Sequence, residues 1–159
     1  MTFIKNYNAK LPGVEKLMDD FKKQAKRDGY VSTLLGRRRY FPGLKSGARL
    51  PMAERQRLER EAINAPVQGT AADIVKLAMV RLDKGLREAG LQGKMLLQVH
   101  DELVLEVPTD EVDRTIPVIC TAMEEAFELP GGVRLKVDLA VGERWSEVAD
   151  VSAPEGQGG

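Results

Sequence analysis

The residues best equipped for chemistry in this chain are Gln98, His100, Asp101 and Glu102, a polar run between the apolar stretches KMLLQV (94–99) and ELVLEV (102–107). Two apolar stretches this close together read as the arms of a hairpin. Its turn would ordinarily recruit Gly or Asn-Gly, which tolerate positive φ. Here the turn falls on His100 and Asp101 instead, so a local rule is broken where two ionisable groups meet, and such breaches gather at functional sites. A carboxylate at a hairpin tip can reach a hard cation such as Mg²⁺ with one oxygen while water or phosphate fills the other positions. Glu102 adds a second oxygen donor or a supporting partner. The competing reading is a solvated turn whose charges do nothing. Two-metal phosphoryl transfer needs at least one more carboxylate, with ions ~3.5–4 Å apart; Asp73 and Asp138 qualify by residue type only.

Two further groups of side chains suit a polyanion. Arg60, Asn64 and Gln68 are spaced four and four, so a continuous helix would carry them on one face, although Pro66 interrupts the run. All three can donate to the purine N3 and pyrimidine O2 acceptors of the minor groove, which every base pair presents, and so sense pair shape without reading sequence. The alternative is a helix surface with ordinary amides. Arg37-Arg38-Arg39 follows Gly36, with Lys45 and Arg49 nearby. Strand side chains alternate, so two of the three arginines could meet one phosphate backbone; otherwise they form a solvated basic strand.

Composition removes several other chemistries. With one cysteine, Cys120, and one histidine, His100, among 159 residues, neither an internal disulfide framework nor a Cys/His zinc site can be built. A Ser-His-Asp or Cys-His hydrolase would have to use His100 with a distant nucleophile, and Cys120 falls on a helix where the core is expected. No apolar run approaches the ~18–20 residues of a membrane helix and the N-terminus lacks a signal-peptide core, which points to the cytoplasm without membrane contact. The zero net charge conceals a split: residues 1–60 hold 15 Lys/Arg against 6 Asp/Glu, and residues 61–159 hold 9 against 18. A polyanion-facing surface beside an acidic region is one origin of such a split.

The elements that must position these groups follow from periodicity. A helix is expected over 13–28, with Val14, Leu17, Met18, Phe21 and Ala25 on one face and Gly29 as its cap. Strands are expected over 30–35 and 37–41 around a turn at Gly36, then a Pro/Gly/Ser-rich loop over 42–51. Two helices, 52–64 and 69–89, should be separated at Pro66. The second would carry Ala71, Ile74, Val75, Ala78, Leu82 and Leu86 on one face. After the 94–107 hairpin, a helix over 110–128 would be capped by Thr109, and a strand would run over 133–141. The pattern is mixed α+β, an antiparallel sheet against helices, without repeats or a dividing linker. It places one domain over 1–150 and a disordered tail over 151–159.

Taken in order, these segments resemble the C-terminal end of the polymerase domain of family A DNA polymerases, the bacterial DNA polymerase I type. The resemblance runs from Leu11-Pro12-Gly13-Val14 to Trp145 and includes GYVSTLLGRRRYFP (29–42), REAINAPVQGTAADIVKLAM (60–79) and QVHDELVLEVP (98–108). It implies a palm-type antiparallel sheet with packed helices, part of a larger polymerase domain. QVHDE matches the family's motif C, which would make Asp101 a catalytic metal ligand and Glu102 an acidic neighbour positioning metal or water, with Mg²⁺ as the ion. His100 would sit against the primer terminus with Gln98 close by. Arg60, Asn64 and Gln68 would contact the template–primer minor groove, and Arg37, Arg38 and Arg39 would lie near the DNA backbone.

The resemblance is also incomplete. The family's DYSQIELR-like motif, which carries the other metal aspartate, and its KxxxNFxxxYG-like fingers motif have no counterpart in this sequence. The expectation is therefore part of a polymerase: a truncated form, a split gene product or a fragment of a longer reading frame. It would use primer-template DNA and dNTP and need a complementary polymerase chain supplying the missing aspartate and fingers. Alone it is expected to be inactive. The alternative is a non-catalytic DNA-binding or assembly module derived from a polymerase; a stand-alone metal nuclease would lack the same carboxylate.

Overall fold

The computed structural model describes residues 11–45 and 49–151. The lead TFIKNYN and the tail from residue 152 lie outside the described residues; Val151, assigned above to that tail, is part of a strand. The chain forms two compact units, one ending at Ala71 and the next beginning at Ala72.

In the first unit, helix α1 (Pro12–Asp28) ends at Gly29, whose φ of 76° and N–H bond to the Ala25 carbonyl close the last turn. Phe21 and Ala25, one helical turn apart, reach a core of Val31, Phe41, Leu44 and Ala62. Leu17 and Met18, assigned by spacing to the same stripe, stay 48% and 41% exposed. Strands β1 (Tyr30–Ser32) and β2 (Arg38–Tyr40) pair antiparallel, Val31 opposite Arg39 and Ser32 opposite Arg38. The first strand stops three residues earlier than periodicity suggests. Thr33 and Arg37 close a turn, with the Thr33 N–H on the Arg37 carbonyl at 2.9 Å, and Gly36 takes the positive φ this turn requires. Leu34 and Leu35 are thereby left on the exposed turn.

Helix α2 (Met52–Glu88) runs 37 residues without the expected break, with Pro66 inside it. Pro66 gives the Ala62 carbonyl no donor, a defect that costs about 3 kcal/mol in a helix interior. Ala62 and Pro66 are nonetheless buried and Ala65 packs against the first core, so burial of the turns on either side outweighs the local penalty. Lys26 on α1 pairs with Glu59 on α2 at 2.8 Å.

In the second unit, Leu82 and Leu86 of α2 form a core with Leu91 and Ala122. The hairpin of β3 (Lys94–Val99) and β4 (Glu102–Glu106) covers it with Met95, Leu103 and Leu105. Helix α3 (Val112–Glu124) contributes Val118 and Ile119. Arg114 donates to the Ala89 carbonyl and Arg81 to that of Glu125, which fixes α3 antiparallel to α2. Thr109 does not cap α3: residues Thr109–Glu111 form a 3-10 turn, and Glu111 instead accepts the Gln92 N–H at 2.7 Å. The strand expected over 133–141 forms only at β5 (Leu139–Val141), paired with an unforeseen β6 (Ala149–Val151). Upstream, the Val137 N–H goes to the Glu124 carboxylate rather than to a strand ladder. Among the described residues the fold is α+β with antiparallel pairing, in three two-stranded sheets.

Candidate functional site

Because α2 is continuous, Arg60, Asn64 and Gln68 fall at successive helical turns on one face, about 12 Å from first to last. All three are exposed, and their side chains make no hydrogen bond or ion pair among the described residues. Gln68 shares a concavity of about 230 Å³ with Arg37, Arg38 and Arg39. Gln68 and the three arginines, some thirty residues apart in the sequence, thus line one concavity, whereas Arg60 and Asn64 are not among its lining residues.

The arginines are not equivalent. Strand alternation sends Arg38 to the face of Tyr30 and Tyr40, where its guanidinium lies 4.5 Å from the centre of the Tyr30 ring. Arg39 points the other way, reaching Glu61 of α2 at 3.0 Å, and Glu61 also accepts from Arg57 at 2.7 Å. One carboxylate therefore neutralises part of two cations beside the concavity, which the sequence did not disclose.

Sequence reasoning also missed the residues that hold this hairpin against the helix. The Leu34 N–H donates to Thr70 Oγ1 at 3.0 Å. At Gly69 the approach is closer still, since a Cβ there would stand 2.6 Å from Thr33 Cγ2. Thr33 in turn accepts the Arg37 N–H on its hydroxyl at 3.1 Å. A Gly-Thr pair inside a helical pattern was the available signal, because Gly weakens a helix interior unless close packing requires it.

In the second unit the β3–β4 register pairs Val99 with Glu102, leaving His100 and Asp101 as a two-residue turn, as expected. His100 has φ 55°, the one positive φ outside glycine among the described residues. A positive φ at the first turn position alone is the sign pattern of a type II′ turn, which normally places Gly there. Gln98 braces the strained residue by donating from Nε2 to the His100 carbonyl at 2.5 Å. A bulge at Leu96 decides which way Gln98 points. The pairing shifts between Met95 and Leu97, so Gln98 faces Leu103 on the side that carries Leu105 and Met95, while Glu102 lies on the opposite face with Leu97 and Val104.

Gln98, His100, Asp101 and Glu102 are all exposed. Asp101 and Glu102 make no ion pair among the described residues, so their oxygens suit a hard divalent cation. The set is not complete: among the described residues no three His, Cys, Asp or Glu side chains group so as to hold a metal ion. Asp73 is buried and Asp138 exposed, and neither joins such a group. The two carboxylates fit a metal in donor type and fall short in number.

An α+β chain with a carboxylate-bearing hairpin turn and an open Arg-Asn-Gln row along one helix has known relatives. Residues 1–147 match the family model of DNA polymerase family A, and the chain belongs to that family. It is 48% identical over 143 residues to DNA polymerase I of Geobacillus stearothermophilus, and 44% identical over 150 residues to DNA polymerase I of Chloroflexus aurantiacus. These alignments cover 90% and 94% of this chain but only 16% and 15% of the two relatives. Among solved structures, the POL domain of Pol1 from M. smegmatis, in complex with DNA primer-template and dNTP, superimposes with a TM-score of 0.77 at 42% identity. That match covers 84% of this chain and 23% of that one. The family and fold class expected from the sequence motifs are both borne out. Family A DNA polymerases generally use divalent metal ions. Among the described residues no helix is long and apolar enough to cross a membrane.

Proposed function

We propose that this chain is the motif C part of a DNA-directed DNA polymerase, acting in template-directed nucleotidyl transfer to a primer 3′-hydroxyl during replication or repair synthesis. Residues 1–150 would be the segment returning from fingers to palm, in the cytoplasm. The observation that carries the reading is the open row of Arg60, Asn64 and Gln68 on one continuous helix, in a chain that belongs to family A. These donors match minor-groove acceptors common to all base pairs, so they grip correctly shaped primer-template without sequence preference. Arg37 and Arg38, exposed beside Gln68, supply the salt-dependent attraction for a phosphate backbone.

Asp101 and Glu102 are the residues that would hold Mg²⁺. With the other aspartate's help these carboxylates would hold a pair of such ions, whose chemistry there would be charge stabilisation of the attacking and leaving oxygens. His100 would meet the primer terminus from a backbone conformation that Gln98 braces. The remaining aspartate and the dNTP-binding fingers would come from a complementary polymerase chain. A second reading, a non-catalytic DNA-binding module, is favoured by the incomplete carboxylate set.

Primer extension with Mg²⁺, run with this chain alone and with a polypeptide carrying the matching upstream palm and fingers, separates these readings. The polymerase reading expects extension only in the mixture, lost with Asp101→Asn. Extension by the chain alone, or extension that survives Asp101→Asn, overturns it. Salt-sensitive duplex binding without extension in a demonstrated complex supports the second reading.

A further inference from the structure

We infer that Thr70 is a positioning residue for DNA binding: through the Leu34 amide it sets where the Arg37–Arg39 segment stands relative to Gln68. The inference rests on the DNA-binding reading of that concavity.

The turn between β1 and β2 has a single side-chain hub, Thr33. Its N–H and carbonyl close the turn with Arg37 and Gly36, and its hydroxyl accepts the Arg37 N–H. Thr33 is 9% exposed and Thr70 8% exposed, so this junction is made away from bulk water. Thr70 sits two residues beyond Gln68 and receives the Leu34 N–H, the residue after the hub. Gly69, between them, removes the side chain that would otherwise hold Thr33 away from the helix. At the turn itself the Leu34–Thr70 bond and the Gly69 notch join hairpin to helix, beside the Arg39–Glu61 ion pair and the core of Val31, Phe41 and Ala62 that tie its strands to α2. Arg37 to Arg39 and Gln68 extend directly from the two sides of that junction and line the same concavity.

A β hairpin of three residues per strand has little of its own to hold it in place. If the hairpin pivots, the helix keeps Gln68 where it is while the arginines move with the turn. Thr70 would then matter to affinity without touching the ligand.

The test compares Thr70→Val, which keeps the shape and removes the acceptor, with Thr70→Ser, which keeps the hydroxyl. Amide hydrogen exchange of the free chain should accelerate about tenfold or more at residues 33–40 in Thr70→Val and remain near wild type over 12–28 and 94–106, because local openings report local interactions. Thr70→Ser should retain protection. Binding of primed duplex by Thr70→Val should weaken severalfold at ~50 mM salt, with a salt slope shallower by about 0.9 for each phosphate that an arginine no longer neutralises. Unchanged exchange at residues 33–40 overturns the inference whatever the binding result. Accelerated exchange with wild-type affinity and slope overturns the positioning role and leaves the DNA-binding reading standing. A wild-type chain that fails to bind primed duplex overturns that reading and the inference with it. A Thr70→Ser variant as weak as Thr70→Val likewise overturns the inference, since the hydroxyl would then not be the operative group.

Discussion

Replacing His100 by Gly and, separately, by Ala tests whether the turn stores backbone strain. In regular structure Ala is worth about 0.5–1 kcal/mol more than Gly, because Gly gives up more freedom on folding. At φ 55° the balance inverts. An L-residue in the left-handed region loses about 1–2 kcal/mol that Gly does not, so at mid-range values the Gly variant should exceed the Ala variant by about 0.75 kcal/mol. With a urea dependence of about 2 kcal/mol/M for a chain of this size, the midpoints should differ by about 0.25–0.5 M. Both variants lose the imidazole, so its interactions cancel in the comparison. Ala72→Gly, on the exposed face of α2, supplies the opposite sign as a control, a loss of about 1 kcal/mol. Urea titrations followed by Trp145 fluorescence and by far-UV circular dichroism would read the shift, and coincidence of the two probes would license a single free energy. An Ala variant as stable as the Gly variant would refute the strain argument. The Gly variant should also lose extension activity in the reconstituted mixture, since a relaxed turn no longer presents its side chains in one orientation.

Two other expectations rest on separate interactions. Glu61→Gln should strengthen binding of primed duplex and steepen its salt dependence, by up to about 0.9 for each of Arg39 and Arg57 that turns to a phosphate. Its effect on stability should stay within about 1 kcal/mol because these pairs are substantially solvated; an unchanged affinity would show that Glu61 does not compete with DNA. Burial in α3, with the Glu124 carboxylate adding to it, pushes the Cys120 thiol above its ordinary range. The unfolded chain then ionises first, so this group's contribution is fully present below the ordinary thiol pKa of about 8.5 and is lost as pH climbs through the higher folded value. Urea midpoints measured from pH 7 to 10 should fall more steeply for wild type than for Cys120→Ala, and parallel curves would contradict the assignment.

What the sequence disclosed and what it withheld divide along physical lines. The 94–107 hairpin and its two-residue turn were legible because two apolar runs leave room for nothing else between them. Helix α1 was legible from its spacing and its Gly29 cap, although which of its apolar residues lie inward was not: Leu17 and Met18 satisfy the period but find nothing to cover them among the described residues. Pro66 misled because a local propensity was weighed without the burial of Ala62 and Ala65, which only the folded core supplies. The 133–141 segment misled in the opposite sense. Its alternation is genuine, yet Val137 satisfies its backbone through the Glu124 side chain, a partner that alternation cannot foresee.

The candidate residues were legible by type and their supports were not. Arg60, Asn64 and Gln68 announce themselves by spacing, whereas Thr70, Gly69 and Glu61 acquire meaning only when the β1–β2 hairpin is laid on α2. The Leu96 bulge is the sharpest case. In KMLLQV strict alternation would put Met95, Leu97 and Val99 on one face and Gln98 on the other. One extra residue brings Gln98 onto the face of Met95 and Leu103, from which its amide reaches the His100 carbonyl. Deleting Leu96 removes the unpaired residue and leaves Met95–Leu105, Leu97–Val104 and Gln98–Leu103 in register, so Gln98 should keep its place beside the turn. Hydrogen exchange at His100 and Asp101 should therefore stay near wild type in the deletion variant and accelerate in Gln98→Ala, which removes the donor. Retained protection in Gln98→Ala would mean that the turn holds its conformation without the Gln98 brace.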